Sequence, residues 1–378
     1  MLRFLHLSDL HLGWRPRFMA EDEAKRVQAE RDRVLEQAVA YALDPEHQID
    51  LIIIAGDLFE THQPEPGLTE RVIQALTRCT NTGKQVITVP GNHDEITYRD
   101  SVYRREQERW PGILVSNPMP ELVAQLEIGG QQVYVYSLAY IGGITQTKPP
   151  VKDFPRVEGD GFHLGVFHGS YNWDAGDRSL PLDPDALTKA GYDYVALGHF
   201  HVHQTHQIGR GLAVYPGMIA GKGFHDPGLG ELLIGEWQRP HQVKLHKVPV
   251  GAPLFERYVI DVSTFSDWAQ LASLLESRGN QETMVRVELQ GITGFPIDVD
   301  RLLKRTQSYY RYLEIVNHSY YLSDSQLELM SQEKTITGFF LAEIKERLSK
   351  AGSPEEKDLL NRALTHGMLA LKGGNQDA

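Results

Sequence analysis

The sequence has almost no cysteine, since Cys79 is the single one among 378 residues. One thiol excludes an intrachain disulfide and favours a reducing compartment. The sequence also lacks an apolar run long enough to cross a bilayer. Its apolar start, residues 2–7, runs directly into Ser8 and Asp9 and does not resemble a secretory signal. We therefore expect a cytoplasmic protein that has no membrane partner.

Low-complexity tracts and internal repeats are absent too. With 41% hydrophobic and 23% charged residues, the composition is that of an ordinary globular protein. A chain of this length is too long for one small domain and allows two or three.

Short apolar runs alternate with amphipathic helical patterns over the first two-thirds of the chain. The predicted strands include 50–55, 86–89, 164–167 and 194–197, and the predicted helices are 23–43 and 68–79. From residue 121 onward, a Gly129-Gly130 turn between two apolar segments predicts a hairpin, followed by further antiparallel sheet. The expected fold class is α/β (α+β), with a two-sheet sandwich flanked by helices.

A stretch from Pro249 to Pro253 predicts a domain boundary. We expect a first domain over 1–250, a small βαβαβ domain over 256–322, and a helical tail over 333–372 that offers a surface to a partner. The tail is predicted to hold two helices, over about residues 335–371, separated near Ser353 and Pro354.

Five short polar motifs each follow an apolar run that predicts a strand. They are Ser8-Asp9-Leu10-His11, Gly56-Asp57-Leu58-Phe59-Glu60, Gly91-Asn92-His93-Asp94-Glu95, Phe167-His168-Gly169 and Gly198-His199-Phe200-His201. Their candidate metal ligands are Asp9, His11, Asp57, Asn92, His168, His199 and His201. Oxygen and imidazole donors without thiolate suit Mn²⁺, Fe²⁺ or Zn²⁺. Seven donors exceed the need of one tetrahedral ion and indicate two ions with a shared carboxylate.

Each motif alone has a simpler interpretation. Asp9-x-His11 fits a surface turn, and His168 fits a hydrogen-bonded core histidine. A purely structural role fits Asp57 less well, because an unpaired carboxylate after a buried strand is costly in free energy. The order of all five motifs, rather than any single one, therefore carries the metal hypothesis.

Two neighbours of Asn92 have separate expected roles. His93 is adjacent to a ligand and so diverges from it, which leaves the ring for acid–base chemistry or phosphate contact. Asp94 is expected to hydrogen-bond the other ring nitrogen of His93 and to fix its tautomer.

These motifs resemble those of the calcineurin-like metallophosphoesterases, in particular the SbcD-type and YhaO-like DNA-repair exonucleases. The similarity includes Tyr215-Pro216-Gly217 and the tail segment 363–368. It implies that one ion is held by Asp9, His11, Asp57 and His201, and the other by Asp57, Asn92, His168 and His199. It also implies Mn²⁺ as the usual ion, with Fe, Zn or Mg as alternatives, and His93 at the scissile phosphate.

The same resemblance implies partners: DNA, an SbcC-like ATPase and a second copy of the chain. Some nuclease members have a histidine directly after Gly-Asp-Leu-Phe, whereas this chain has Glu60 there and His62 two residues later. We expect substrate contacts from five residues, namely Arg15, Arg17, Glu60, His62 and His225.

The net charge of −12 disfavours nucleic acid, because phosphate binding needs clustered Lys and Arg. Two bound cations would add positive charge where a scissile phosphate lies, so DNA is not excluded. A basic, Tyr-rich segment over 301–312 fits either DNA contact or the faces of a small domain. The alternatives are a phosphomonoesterase or a cyclic-nucleotide phosphodiesterase, and a scaffold with a structural metal site.

Overall fold

The computed structural model describes residues 1–140, 151–172, 179–240 and 242–373. The chain forms two compact units, one up to Leu254 and one from Phe255 onward. The finer division into 1–250, 256–322 and 333–372 stays a prediction. Within the described ranges, no helix combines the length and apolar character needed to cross a membrane.

The first unit contains two six-stranded sheets. Its strands are β1 (Leu2–Leu7), β2 (Leu51–Ala55), β3 (Gln85–Val89), β4 (Ile113–Leu114), β5 (Glu121–Ile128), β6 (Gln131–Ser137), β7 (Phe162–His168), β8 (Ser170–Tyr171), β9 (Pro181–Leu182), β10 (Tyr194–Gly198), β11 (Gln204–Ile208), β12 (Gly211–Tyr215), β13 (Glu231–Arg239) and β14 (Gln242–Pro249). Its helices are α1 (Glu21–Leu43), α2 (Pro66–Asn81), α3 (Val102–Arg105) and α4 (Pro184–Ala190), with 3₁₀ turns at Pro45–His47 and Gln107–Arg109. The sheet orders are β14-β13-β1-β2-β3-β4 and β11-β12-β10-β7-β6-β5.

The two sheets pack face to face around one apolar core. The Phe4 ring of β1 lies 5.6 Å from that of Phe162 and 4.8 Å from that of Tyr194, both in the other sheet. Strand β2 is buried along its whole length, as its run of aliphatic residues predicts. Each such side chain contributes roughly 1.5–3 kcal/mol of hydrophobic stabilisation. The two-sheet sandwich and the α/β class are confirmed.

Strand direction in the second sheet differs from the prediction. The β5–β6 hairpin is antiparallel, as expected, but β6, β7, β10 and β12 are paired in parallel. The expectation of antiparallel pairs from residue 121 onward holds for β5–β6, β11–β12 and β13–β14 but was wrong for these strands. The segments that join them are long enough to return the chain to the same end of the sheet, as parallel pairing requires.

The second unit begins with a three-stranded sheet and two helices. The elements are β15 (Leu254–Asp261), α5 (Trp268–Ser277), β16 (Thr283–Gln290), β17 (Ile292–Thr293), α6 (Val299–Thr306), β18 (Tyr312–Asn317) and β19 (Tyr320–Tyr321), with 3₁₀ turns at Val262–Thr264 and Gln307–Tyr309. The sheet order is β15-β16-β18, and β16 and β18 are parallel.

The described part of the second unit ends with three helices: α7 (Asp324–Ser331), α8 (Ile336–Lys350) and α9 (Pro354–Gly373). The two predicted tail helices correspond to α8 and α9, while α7 precedes the predicted range. Leu341 of α8 and Met368 of α9 share a small apolar cluster with Ile292 and Leu322. The helices are therefore anchored to the β17–β19 region of the same unit.

Candidate metal centre

The five polar motifs lie at the carboxyl ends of β1, β2, β3, β7 and β10. Since these strands are parallel within each sheet, their ends meet at one edge of the sandwich, where open α/β sheets bind ligands. The structure brings all seven expected donors together there. Asp9, His11, Asp57 and His168 are almost completely buried.

The backbone at this edge adopts uncommon conformations. Asp9, His11, Asp57 and His199 have φ values of 54°, 46°, 51° and 114°. Left-handed backbone at residues other than glycine costs about 1–3 kcal/mol each and clusters at functional sites. Two backbone hydrogen bonds hold the turns together: the amide of Asp9 donates to the Gly56 carbonyl at 3.0 Å, and that of His11 to the Asp57 carbonyl at 2.9 Å.

The first group of donors faces inward around His11. Its Nε2 lies 3.3 Å from Nε2 of His201 and 3.7 Å from Oδ2 of Asp57. Nε2 of His201 is 4.0 Å from Oδ1 of Asp9. Ligands at about 2.1 Å from one ion lie no more than about 4.2 Å apart, so these separations fit a shared cation.

The second group converges on the side-chain oxygen of Asn92. Nε2 of His168 and Nδ1 of His199 each lie 3.0 Å from it. Nε2 of His168 is also 3.4 Å from Oδ2 of Asp57. The same carboxylate oxygen thus approaches both groups, as a shared ligand requires.

Three of the histidines have their other ring nitrogen occupied. Nδ1 of His168 donates to the Ala55 carbonyl at 2.9 Å. Nδ1 of His11 lies 2.9 Å from Glu60 Oε2, and Nδ1 of His201 lies 3.1 Å from Asp226 Oδ1. Such contacts fix the ring so that Nε2 presents its lone pair, the arrangement found around protein-bound metals.

Glycines allow the motifs to approach each other this closely. A Cβ at Gly56, whose φ is +90°, would lie 2.1 Å from Nδ1 of His168. A Cβ at Gly198 would lie 1.8 Å from the Ala55 carbonyl oxygen. Neither position can accept a larger residue without movement of the site, which explains the Gly-Asp and Gly-His pairs in the sequence.

The electrostatics favour a cation in this pocket. Burial alone would raise the pKa of Asp57, but the neighbouring His168 and His11 lower it well below its usual range. Burial opposes charge on His168 as well, yet Asp57 raises its pKa to about 9. Burial lowers the pKa of His11 to about 4, so its ring is neutral and able to donate a lone pair. A pocket that keeps a proton on His168 can stabilise a metal cation in its place.

His93 lies at the exposed side of this group. Its amide donates to Oδ1 of Asp57 at 2.8 Å, and its Nδ1 donates to the Glu60 carbonyl at 3.2 Å. The side chain is 38% exposed, and its ring meets that of His11 edge-on at 4.6 Å. Nε2 is therefore the nitrogen left for a substrate.

The expected role of Asp94 was wrong. Its buried carboxylate accepts hydrogen bonds from the Gly91 amide, the Phe59 amide and the Tyr103 hydroxyl at 2.7, 3.1 and 2.7 Å. No hydrogen bond in the described structure joins it to His93, whose Nδ1 pairs with a carbonyl instead. Asp94 holds the Gly91 loop against the segment after β2, and so positions Asn92 and His93 through the backbone.

The five residues that are expected to contact the substrate do not all lie together in the structure. Arg15, Arg17 and Glu60 line a cleft of about 600 Å³ beside the metal centre. His62 stacks on Tyr98, with centroids 4.1 Å apart, and His225 is exposed on the loop whose next residue contacts His201. In the basic segment, Arg301 and Arg305 pack over the Trp268 ring at 4.4 and 5.3 Å, so both contribute to the second unit itself.

Three further residues at this site were not among the expected site residues, and two of them lie on the loop of Lys222 and Asp226, for which a flexible loop was the favoured interpretation. Asp226 orients His201, and Lys222 donates to Glu60 Oε2 at 2.8 Å. The third is Arg31, which is buried in α1 and whose guanidinium donates to four backbone carbonyls, those of Leu10, His11, Ala220 and Gly221, at 2.7–3.3 Å. Burial lowers the pKa of Arg31 to about 10, so it stays charged. Its position on the buried stripe of α1 was the available signal.

Comparison with known proteins gives a consistent result. The family model for calcineurin-like phosphoesterases matches residues 2–203. The chain is similar to the uncharacterized metallophosphoesterase YhaO of Bacillus subtilis (strain 168), with 25% identity over 311 residues, which is 77% of this chain and 72% of that protein.

Two further relatives carry more specific names. The DNA double-strand break repair protein Mre11 of Methanopyrus kandleri is 26% identical over 226 residues, 57% of this chain and 48% of that protein. The SbcD component of the nuclease SbcCD of Escherichia coli (strain K12) is 34% identical over 95 residues, 25% of this chain and 22% of that protein. The chain spans less than half the length of both.

Proposed function

The chain belongs to the calcineurin-like phosphoesterase family, and on this basis we propose that it is a Mn²⁺-dependent phosphodiesterase that acts on DNA. As a member of that family it is a metal-dependent phosphoesterase. The proposal adds the substrate, the ion, and a role as the nuclease component of a repair complex with an ATPase. It depends on one observation, the convergence of seven oxygen and nitrogen donors from five strand ends around Asp57.

Two ions fit these donors. One would be held by Asp9, His11, Asp57 and His201, and the other by Asp57, Asn92, His168 and His199. When bound, such a pair supplies positive charge to the phosphate oxygens and makes a nucleophile available near neutral pH. Four of the donors, Asp9, His11, Asp57 and His168, are buried, and burial strengthens their electrostatic interaction with a cation.

We assign the assistance of the leaving group to His93. Nδ1 is bonded to the Glu60 carbonyl and the side chain is 38% exposed, which supports Nε2 as the nitrogen that meets the substrate. A protonated ring would donate from Nε2 to the oxygen that leaves phosphorus, which lowers the barrier as negative charge develops there.

The DNA substrate and the partner rest on the relatives and on the helical tail. Two relatives are named as a DNA-break repair protein and as part of a nuclease. In this chain, α8 exposes Ile336 and Phe339 at 78% and 70%, and α7 exposes Leu329 at 67%. Ile336 and Phe339 are three positions apart and therefore lie on one face of α8, and an exposed apolar patch marks a partner surface. We propose that the ATPase binds here and that the protein works in the cytoplasm as a dimer.

The test compares linear DNA with a small chromogenic phosphodiester, each with Mn²⁺, Mg²⁺ or a chelator. We expect Mn²⁺-dependent cleavage of DNA that the chelator abolishes. His93→Ala should lower kcat about 100- to 10,000-fold while both ions stay bound, because it removes only the proton donor. Asp57→Ala should lose metal as well, measured by elemental analysis.

His246→Ala serves as the matched control, because His246 is half-exposed on β14. It should keep both the activity and the metal. Wild-type activity in His93→Ala would refute the role of that ring. Hydrolysis of the small ester without DNA cleavage would replace DNA with a small phosphoester as the substrate.

A further inference from the structure

The cleft beside the metal centre shares two residues with it. Glu60 contacts His11 at 2.9 Å, and Lys222 contacts Glu60 at 2.8 Å; both line the cleft. At about 600 Å³, the cleft lies within the range of roughly 300–1,000 Å³ typical of small-ligand sites. A substrate that reaches the metal centre from this side therefore occupies the cleft.

The cleft is lined in part by two aromatic side chains, each of which packs on a second group. Trp14 and Phe18 both line it. The buried guanidinium of Arg31 packs on the Trp14 ring at 4.8 Å. Phe18 rests on Phe224, with centroids 5.6 Å apart, and is 43% exposed, whereas Phe224 is only 7% exposed. The rings are thus held in place while Phe18 still offers surface to a ligand.

Cations lie between the two rings in the sequence. Arg15 and Arg17 line the same cleft. Arg15 forms an ion pair with Glu21 at 2.8 Å, while Arg17 forms no ion pair with any described residue. Aromatic rings that alternate with arginines are the arrangement that binds unpaired nucleotides, since the rings stack on bases and the cations contact phosphates.

We propose that this cleft is a nucleotide subsite that takes one unpaired base on Phe18 and Trp14, with the flanking phosphate beside Arg17. The subsite deepens the proposed function and rests on it, because it positions the phosphodiester next to the metal centre. A base must leave its duplex to stack on a protein ring, so the preferred substrate is single-stranded or frayed.

The experiment uses single-stranded thymidine oligomers in which one position at a time is abasic, with Mn²⁺ and the full chain. For the wild type, loss of the base at one position should raise KM about tenfold, with kcat changed less than twofold. Phe18→Ala should raise KM for the intact oligomer about tenfold. Removal of the base at that position should then raise the KM of this variant no further. Met119→Ala should behave as the wild type, because its side chain is exposed elsewhere in the first unit. Phe18→Tyr keeps a stacking ring, so its KM should still rise when the base at that position is removed.

Two results would overturn the subsite. The first is a wild-type KM that does not change with the position of the abasic site. The second is an increase in KM at one abasic position that is equally large in Phe18→Ala. A free nucleotide offers the same base and phosphate, so thymidine 5′-p-nitrophenyl phosphate forms a second arm. If no oligomer is cleaved but this ester is hydrolysed, the DNA proposal fails. A tenfold rise in KM for the ester in Phe18→Ala then supports the subsite for a small substrate, and an unchanged KM overturns it.

Discussion

Replacement of Arg31 by methionine should destabilise the first unit and weaken its metal centre. The guanidinium is 1% exposed and joins the turn after β1 to the loop at Ala220 and Gly221 through hydrogen bonds to carbonyls. Methionine fills much of the space but cannot donate. We therefore expect the backbone around His11 to lose its support.

The size of the effect follows from these contacts. A buried carbonyl left without a donor costs about 1–3 kcal/mol, and four carbonyls share this guanidinium. Removal of a buried charge recovers several kcal/mol of desolvation cost. The difference predicts a loss of about 3 kcal/mol in the free energy of unfolding, a substantial fraction of the stability of a typical domain.

Urea unfolding in a chelator measures the stability, and titration with Mn²⁺ measures the metal affinity. Arg33→Met is the matched control, because Arg33 lies two residues along α1 and is exposed. It should change the unfolding midpoint little. If Arg31→Met unfolds within about 0.5 kcal/mol of the control and binds Mn²⁺ equally well, the support that we assign to Arg31 is absent.

Further predictions concern the glycines, the carboxylate beside the site and a buried histidine. Gly198→Ala should abolish metal binding, because the new Cβ would lie 1.8 Å from a carbonyl oxygen. Gly294→Ala should keep the metal, because a Cβ there would have nothing within 4 Å. Elemental analysis of the purified variants measures the difference. Glu60→Gln should weaken Mn²⁺ binding about 10- to 100-fold in a calorimetric titration, since it removes the charge that holds a ligand histidine, and an unchanged affinity would contradict this. Burial lowers the pKa of His6 to about 3, so the folded state stays unprotonated while the unfolded chain takes up a proton below its ordinary 6.5. Stability should then fall as the pH drops from about 6.5 towards 3, by roughly 3 kcal/mol at pH 4.5. His6→Phe should flatten this part of the stability profile, and a parallel profile in the variant would show that another group is responsible.

The sequence was informative wherever the physical signal was local. Five consecutive aliphatic or small residues before Gly56 predict the buried strand Leu51–Ala55, and polar residues directly after such strands predict where donors meet. Helix α7 also had a local signal, because Ser323 and Gln326 form a capping box, but the prediction overlooked it.

The remainder depended on contacts between distant residues. Glu60 meets Lys222 across 162 positions, and the partners of Arg31 at Ala220 and Gly221 are 189 and 190 positions away. No periodicity in either segment specifies the other. Strand direction in the second sheet was misjudged for the same reason, since an alternating pattern shows which face is buried but not which neighbour pairs with it.

The donors come from both layers of the sandwich: Asp9, Asp57 and Asn92 follow strands of one sheet, and His168 and His199 follow strands of the other. Any cation bound between them acts as a cross-link at the rim of the interface. Because the unfolded chain cannot reproduce this arrangement, binding draws the equilibrium towards the closed sandwich by mass action. The ions would thus clamp the two layers together, and depletion of metal should make the protein easier to digest with protease as well as inactive.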